Sequence, residues 1–114
     1  MAGQTPEGRV KNQVKKILQE YLAYSFMPVQ AGYGMPALDF HCICCGVGFC
    51  IETKAPGKVP TPRQEVTITA IKAAGGKCFV IDGEAGYKRL REWLTLVHLA
   101  HGTGAMGANN GVPD

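Results

Sequence analysis

The residues that carry chemistry in this 114-residue chain lie between positions 39 and 54. Asp39 interrupts an apolar run, and Glu52-Thr53-Lys54 closes a second one. Strand interiors disfavour Asp, and a buried charge needs a partner or a metal. If the two runs pair as a hairpin about Gly46, Asp39 and Glu52 meet on one face near the end of a sheet. Two carboxylates held together repel unless a proton or a divalent cation sits between them. Lys54 follows Glu52 by two and projects to the same face. Glu7, seven before Val14, continues the apolar stripe of the first helix and can supply a further oxygen. Hard oxygen donors suit Mg²⁺ or Mn²⁺ rather than zinc. A cation held this way activates water and polarises a phosphodiester, and a neighbouring lysine stabilises the developing negative charge.

The elements that position these groups are readable in turn. Thr5 is an N-cap, Pro6 suits the first helical position, and Val10, Val14, Ile17, Leu18, Tyr21 and Leu22 recur at helical spacing. Phe26 to Gln30 reads as an edge strand because of Pro28, and Ala31 to Pro36 as a loop. Ala37 to Cys45 and Val47 to Thr53 are the hairpin arms. Alternation puts Asp39, His41 and Ile43 on one face of the first arm. It puts Cys50, Glu52 and Lys54 on one face of the second, opposite Phe49, Ile51 and Thr53. Thr61-Pro62-Arg63-Gln64 has the pattern of a capping box. The helix it opens carries Val66, Ile68, Ala70 and Ile71 and stops at Gly75-Gly76. Lys77 to Ile81 is a strand, and a last helix runs from about Glu84 to His101 with Tyr87, Leu90, Leu94 and Val97 on one face. The order α-β-β-β-α-β-α predicts an α/β fold with a mixed sheet and helices against it. Residues 1–101 read as one domain, and 102–114 as a flexible Gly-rich tail.

Asp39 followed by Ile51-Glu52-Thr53-Lys54 after a hairpin resembles the signature of the PD-(D/E)xK nucleases, and the VRR-NUC branch most. Glu7, the glycines before Asp39, Gln64 in the following helix and the stretch Ala74 to Gly83 occur in that branch's order. Leu38 stands where many superfamily members have proline. The resemblance implies a restriction-endonuclease-like α-β-β-β-α-β core plus a C-terminal helix. It further implies a Mg²⁺- or Mn²⁺-dependent DNA endonuclease acting as a homodimer on branched DNA such as four-way junctions. Glu7, Asp39, Glu52 and the carbonyl of Thr53 then hold the metal, Lys54 stabilises the attacking hydroxide or transition-state charge, and Gln64 positions it. Gln64 can combine that role with capping only if its side chain does not fold back onto the cap. Lys11, Lys15, Lys58 and Arg63 are candidates for DNA phosphates, and Tyr33 for stacking on a base or sugar. A nicking or restriction-type enzyme on linear duplex is the alternative within the same chemistry.

Cys42, Cys44, Cys45 and Cys50 crowd the hairpin, with His41 beside them and Cys78 further on. Without a secretion signal they are not read as a disulfide framework. A zinc-bound, non-catalytic nucleic-acid module would need them to converge from one side of a loop. Alternation sends Cys42 and Cys44 to one face and Cys50 to the other, so packed thiols are the expectation and zinc is not. His98, His101 and Trp93 read as packing or surface residues, and the last helix as the dimer contact.

Hydrophobic residues make up 46% and charged ones 18%, which excludes a largely disordered chain. No apolar run has the length of a membrane span, and the opening Met1 to Glu7 lacks a signal pattern, so a cytoplasmic location is expected. Twelve bases against nine acids give +3. Setting aside Glu7, Asp39, Glu52 and Lys54 leaves eleven bases against six acids, or +5, around an acidic pocket.

Overall fold

The computed structural model describes residues 4–29 and 36–102. Tyr33, most of the Gly-rich loop and nearly all of the tail (103–114) lie outside the described residues. The chain is α/β, with elements in the order α1 (Pro6–Glu20), β1 (Tyr24–Phe26), β2 (Phe40–Cys44), β3 (Val47–Thr53), α2 (Pro62–Ala73), β4 (Lys77–Ile81) and α3 (Glu84–Val97), followed by a wide π-helical turn (His98–Gly102).

The strands form one mixed sheet in the order β1-β2-β3-β4. β1 to β3 are antiparallel, and β4 runs parallel to β3 after the α2 crossover. Cys44 faces Val47, so Cys45-Gly46 is a two-residue turn, and both residues have positive φ (54° and 83°). That is the backbone a tight hairpin needs to match the strand twist.

α1 starts where expected. Thr5 Oγ1 accepts the Gly8 N–H at 2.9 Å, and Val10, Val14, Ile17 and Leu18 are buried. Leu22 departs from the expected stripe. It lies beyond the helix at φ 59°, in the left-handed conformation that terminates helices, and is 75% exposed. The edge strand is also earlier than expected, at Tyr24–Phe26 rather than Phe26 to Gln30. Pro28, which has no N–H for a ladder, lies past its end.

α1 and α3 cover one face of the sheet. Phe40, Cys42, Cys44, Phe49, Ile51, Phe79 and Ile81 meet the apolar sides of both helices there. Trp93 packs edge-on against Phe49 and Phe79, with centroids 4.9 and 5.4 Å away. α2 lies across the other face and buries little: Ile68 is its one buried residue, and Val66 is 70% exposed, contrary to the apolar stripe expected there. Beside α2 the sheet is open, with a groove of about 480 Å³ lined by Tyr24, Phe26, His41, Ile43, Cys50 and Ile71 among others. Among the described residues, no helix is long and apolar enough to cross a membrane.

Candidate active site

The hairpin register brings the two acids together. Phe40 pairs with Ile51, so Asp39 stands opposite Glu52 at the end of the sheet. Asp39 is not inside a strand, as alternation suggested, but in the bend just before β2. The bend lets Asp39 use both sides of β3. Its N–H donates to Glu52 Oε1 at 3.2 Å, while its Oδ2 accepts from the Thr53 N–H at 2.9 Å and the Thr53 hydroxyl at 2.6 Å. Thr53, proposed as a carbonyl donor, is fully buried, and its amide and hydroxyl fix the Asp39 carboxylate. Sequence reasoning missed that contact because strict alternation turns the Thr53 side chain away.

Glu52 is 2% exposed. Its Oε2 accepts from Gln64 Nε2 at 2.8 Å and lies 3.8 Å from Lys54 Nζ. Burial pushes its carboxyl up from 4.5 to about 7, with the Asp39 carboxylate raising it further and Lys54 pulling the other way. Lys54 follows β3 directly. Its own N–H is bound to the Ile81 carbonyl at 2.9 Å, so β4 fixes where the lysine leaves the sheet.

Gln64 caps α2 and contacts Glu52 at the same time, which overturns the expectation that folding back onto the cap takes its side chain away from these groups. Its Oε1 folds back to accept the Thr61 N–H at 2.9 Å, completing the capping box, while its Nε2 reaches Glu52. A carboxamide has an acceptor at one end and donors at the other, so one side chain serves the cap and the site.

Glu7 reaches the site through Lys11. Lys11 Nζ is 3.2 Å from Glu7 Oε2 and 3.8 Å from Asp39 Oδ1, an ammonium between two carboxylates. Lys11 is therefore paired with both acids. Arg63 lines a pocket of about 240 Å³ together with Asp39, Glu52, Thr61, Gln64 and Thr67. Lys15 and Lys58 are exposed.

The donor set fits a hard divalent cation. Asp39 Oδ1 and the Glu52 carboxylate converge from a hydrogen-bonded frame, and all their polar neighbours are oxygen or nitrogen groups. Cys42, Cys50 and His41 do not gather into a zinc site. Cys42 is buried in the core as a packed thiol, while His41 and Cys50 pair across the open face. No protein-family model matches this chain, and no curated protein sequence matches it.

Proposed function

We propose that the chain is a Mg²⁺- or Mn²⁺-dependent endodeoxyribonuclease of the PD-(D/E)xK type. The observation that carries this reading is that Asp39, Lys54 and Gln64 converge on Glu52 from three separate segments, with Asp39, Glu52 and Gln64 lining one small pocket. The α-β-β-β-α-β order, with β4 parallel to β3, supports it as well. A bound cation supplies Lewis acidity toward a phosphodiester and lowers the pKa of the attacking water. Asp39 and Glu52 hold that cation, with Glu7 available once Lys11 is drawn off. Thr53 locks one Asp39 oxygen and so aims the other. Lys54 neutralises charge that develops on the phosphate, and Gln64 keeps Glu52 from rotating. Arg63 receives an adjacent phosphate.

Branched DNA is the proposed substrate, with a homodimer presenting two sites to two strands. A panel of linear, flapped and four-way DNA tests both parts of the reading. Nicking is expected only with Mg²⁺ or Mn²⁺ and to be strongest on the four-way substrate. Glu52→Gln and Lys54→Ala should each lower the rate by about 10²–10³-fold or more while the fold persists. Cutting at the parental rate by either variant would remove the site assignment, and preference for linear duplex would make the enzyme of nicking or restriction type.

A further inference from the structure

A second cluster lies at the opposite end of the hairpin and takes no part in the chemistry above. Cys44, at the end of β2, is 1% exposed. Its Sγ is 3.8 Å from Cys45 Sγ and 3.4 Å from His98 Nε2, and the three ligand atoms all lie within 4.8 Å of one another. Next to them is the Tyr21 carbonyl oxygen, which accepts from His98 Nε2–H at 2.6 Å and from the Cys44 thiol at 3.5 Å. Five residues separate Cys44 from Asp39, which is about 16 Å along a strand.

We propose that Cys44, Cys45 and His98 bind one Zn²⁺ ion, with the Tyr21 carbonyl oxygen at the fourth corner. The distances already have the dimensions of such a site. Metal–sulfur bonds of about 2.3 Å and metal–nitrogen bonds of about 2.0–2.1 Å give a tetrahedron with S···S edges near 3.8 Å and S···N edges near 3.5 Å. Among the four edges given above, the Nε2···O edge must open, from 2.6 Å to about 3.3 Å, because a hydrogen bond now occupies it, while Cys45 Sγ lies within 4.8 Å of His98 Nε2. On binding, both thiols release a proton and His98 carries its remaining proton on Nδ1. The ion then replaces the two hydrogens now aimed at the Tyr21 oxygen. Thiolate donors select zinc over the hard cations suited to the carboxylates.

Two independent features favour a cation here. Tyr21 caps α1, so one helix C-terminus lies at the cluster, and α1 has no basic residue in its last turn. Its carbonyl end concentrates partial negative charge that a cation neutralises. Cys45 also occupies a left-handed turn position (φ 54°) that Asn, Asp or Gly fills at lower cost. Without an ion, burial holds the Cys44 thiol up at about 11, with Cys45 adding to the rise. The ion would join the hairpin turn to the ends of both helices, so its role is structural.

Chelator-treated, reduced protein titrated with Co²⁺ and then Zn²⁺ tests the proposal. One Co²⁺ per chain should bind with a thiolate-to-cobalt charge-transfer band and tetrahedral visible bands, and Zn²⁺ should displace it. The carboxylate pocket has no sulfur and cannot produce that band. Cys45→Asn suits the turn and should fold but lose the band. His98→Gln, which keeps a donor for the Tyr21 carbonyl, should bind more than about 100-fold more weakly, since even loss of an outer partner costs about 10–100-fold. Cys50→Ser and Cys78→Ser should bind as the parent does. Absence of the band in the parent, unchanged affinity in Cys45→Asn or His98→Gln, or its loss in Cys50→Ser overturns the assignment.

Discussion

Glu52 combines near-complete burial with a neighbouring carboxylate, so its protonation is coupled to folding. Its folded value, about 7, lies above the ordinary 4.5, so the folded state binds the proton more tightly than the unfolded chain does. The resulting stabilisation is complete below about pH 4.5 and is lost as pH rises through 7, on the order of 3 kcal/mol at most. Urea midpoints of metal-free protein should fall across that window, and Glu52→Gln or added Mg²⁺ should flatten the fall. A parental slope in Glu52→Gln would show that another group is responsible. Lys11 makes a second, opposite contribution. Its ammonium lies between Glu7 and Asp39 and would compete with the proposed divalent ion for those oxygens. Lys11→Met should therefore tighten Mg²⁺ binding about three- to tenfold, read by calorimetry, in line with removal of a partly screened charge about 4 Å away. Weaker binding would mean that the lysine supports the site instead of blocking it.

The elements differ in how tightly they hold the site. α3 begins with Gly86 pressed on β4, and a Cβ there would meet Ile81 Cγ2 at 2.8 Å and Ile81 Cα at 3.1 Å. The backbone atom cannot move aside, so Gly86→Ala should destabilise the protein by about 1–3 kcal/mol despite alanine's better helix propensity. A gain in melting temperature would contradict this packing. The same distinction between local and distant contacts explains what could be read from the sequence. The Thr5 and Thr61 caps and the pairing about Gly46 were legible because each depends on residues a few positions apart. The Asp39–Glu52–Lys54 convergence followed from the pairing. The bend at Asp39 was not legible, since it depends on Thr53 satisfying a carboxylate across the strand. His98 could not be connected to Cys44 because 54 residues separate them and a change from α to π geometry ends α3. Val66 looked like core because helical spacing cannot tell that α2 lies on a partly open face.

Across the whole molecule, the two candidate cation sites lie at opposite ends of one hairpin, hard oxygen donors at one end and soft sulfur at the other. On the proposals above, this difference in donors would let each site take its own metal. The shared hairpin also bears on the order of folding. Asp39 and Glu52 are only 13 residues apart, whereas Lys11 comes from α1 and Gln64 from the crossover helix. Contacts close in sequence have the lower loop-closure entropy, so the repelling carboxylates should meet with only Lys54 beside them, before Lys11 and Gln64 are in place. Their repulsion is then felt on the way to the native state as well as within it. Refolding should accelerate in mildly acidic buffer or with Mg²⁺, with a smaller change in the unfolding rate, as stopped-flow chevrons would record. A conditional, charge-gated folding barrier is thus the expected consequence of placing the two acids opposite each other at the open end of one hairpin.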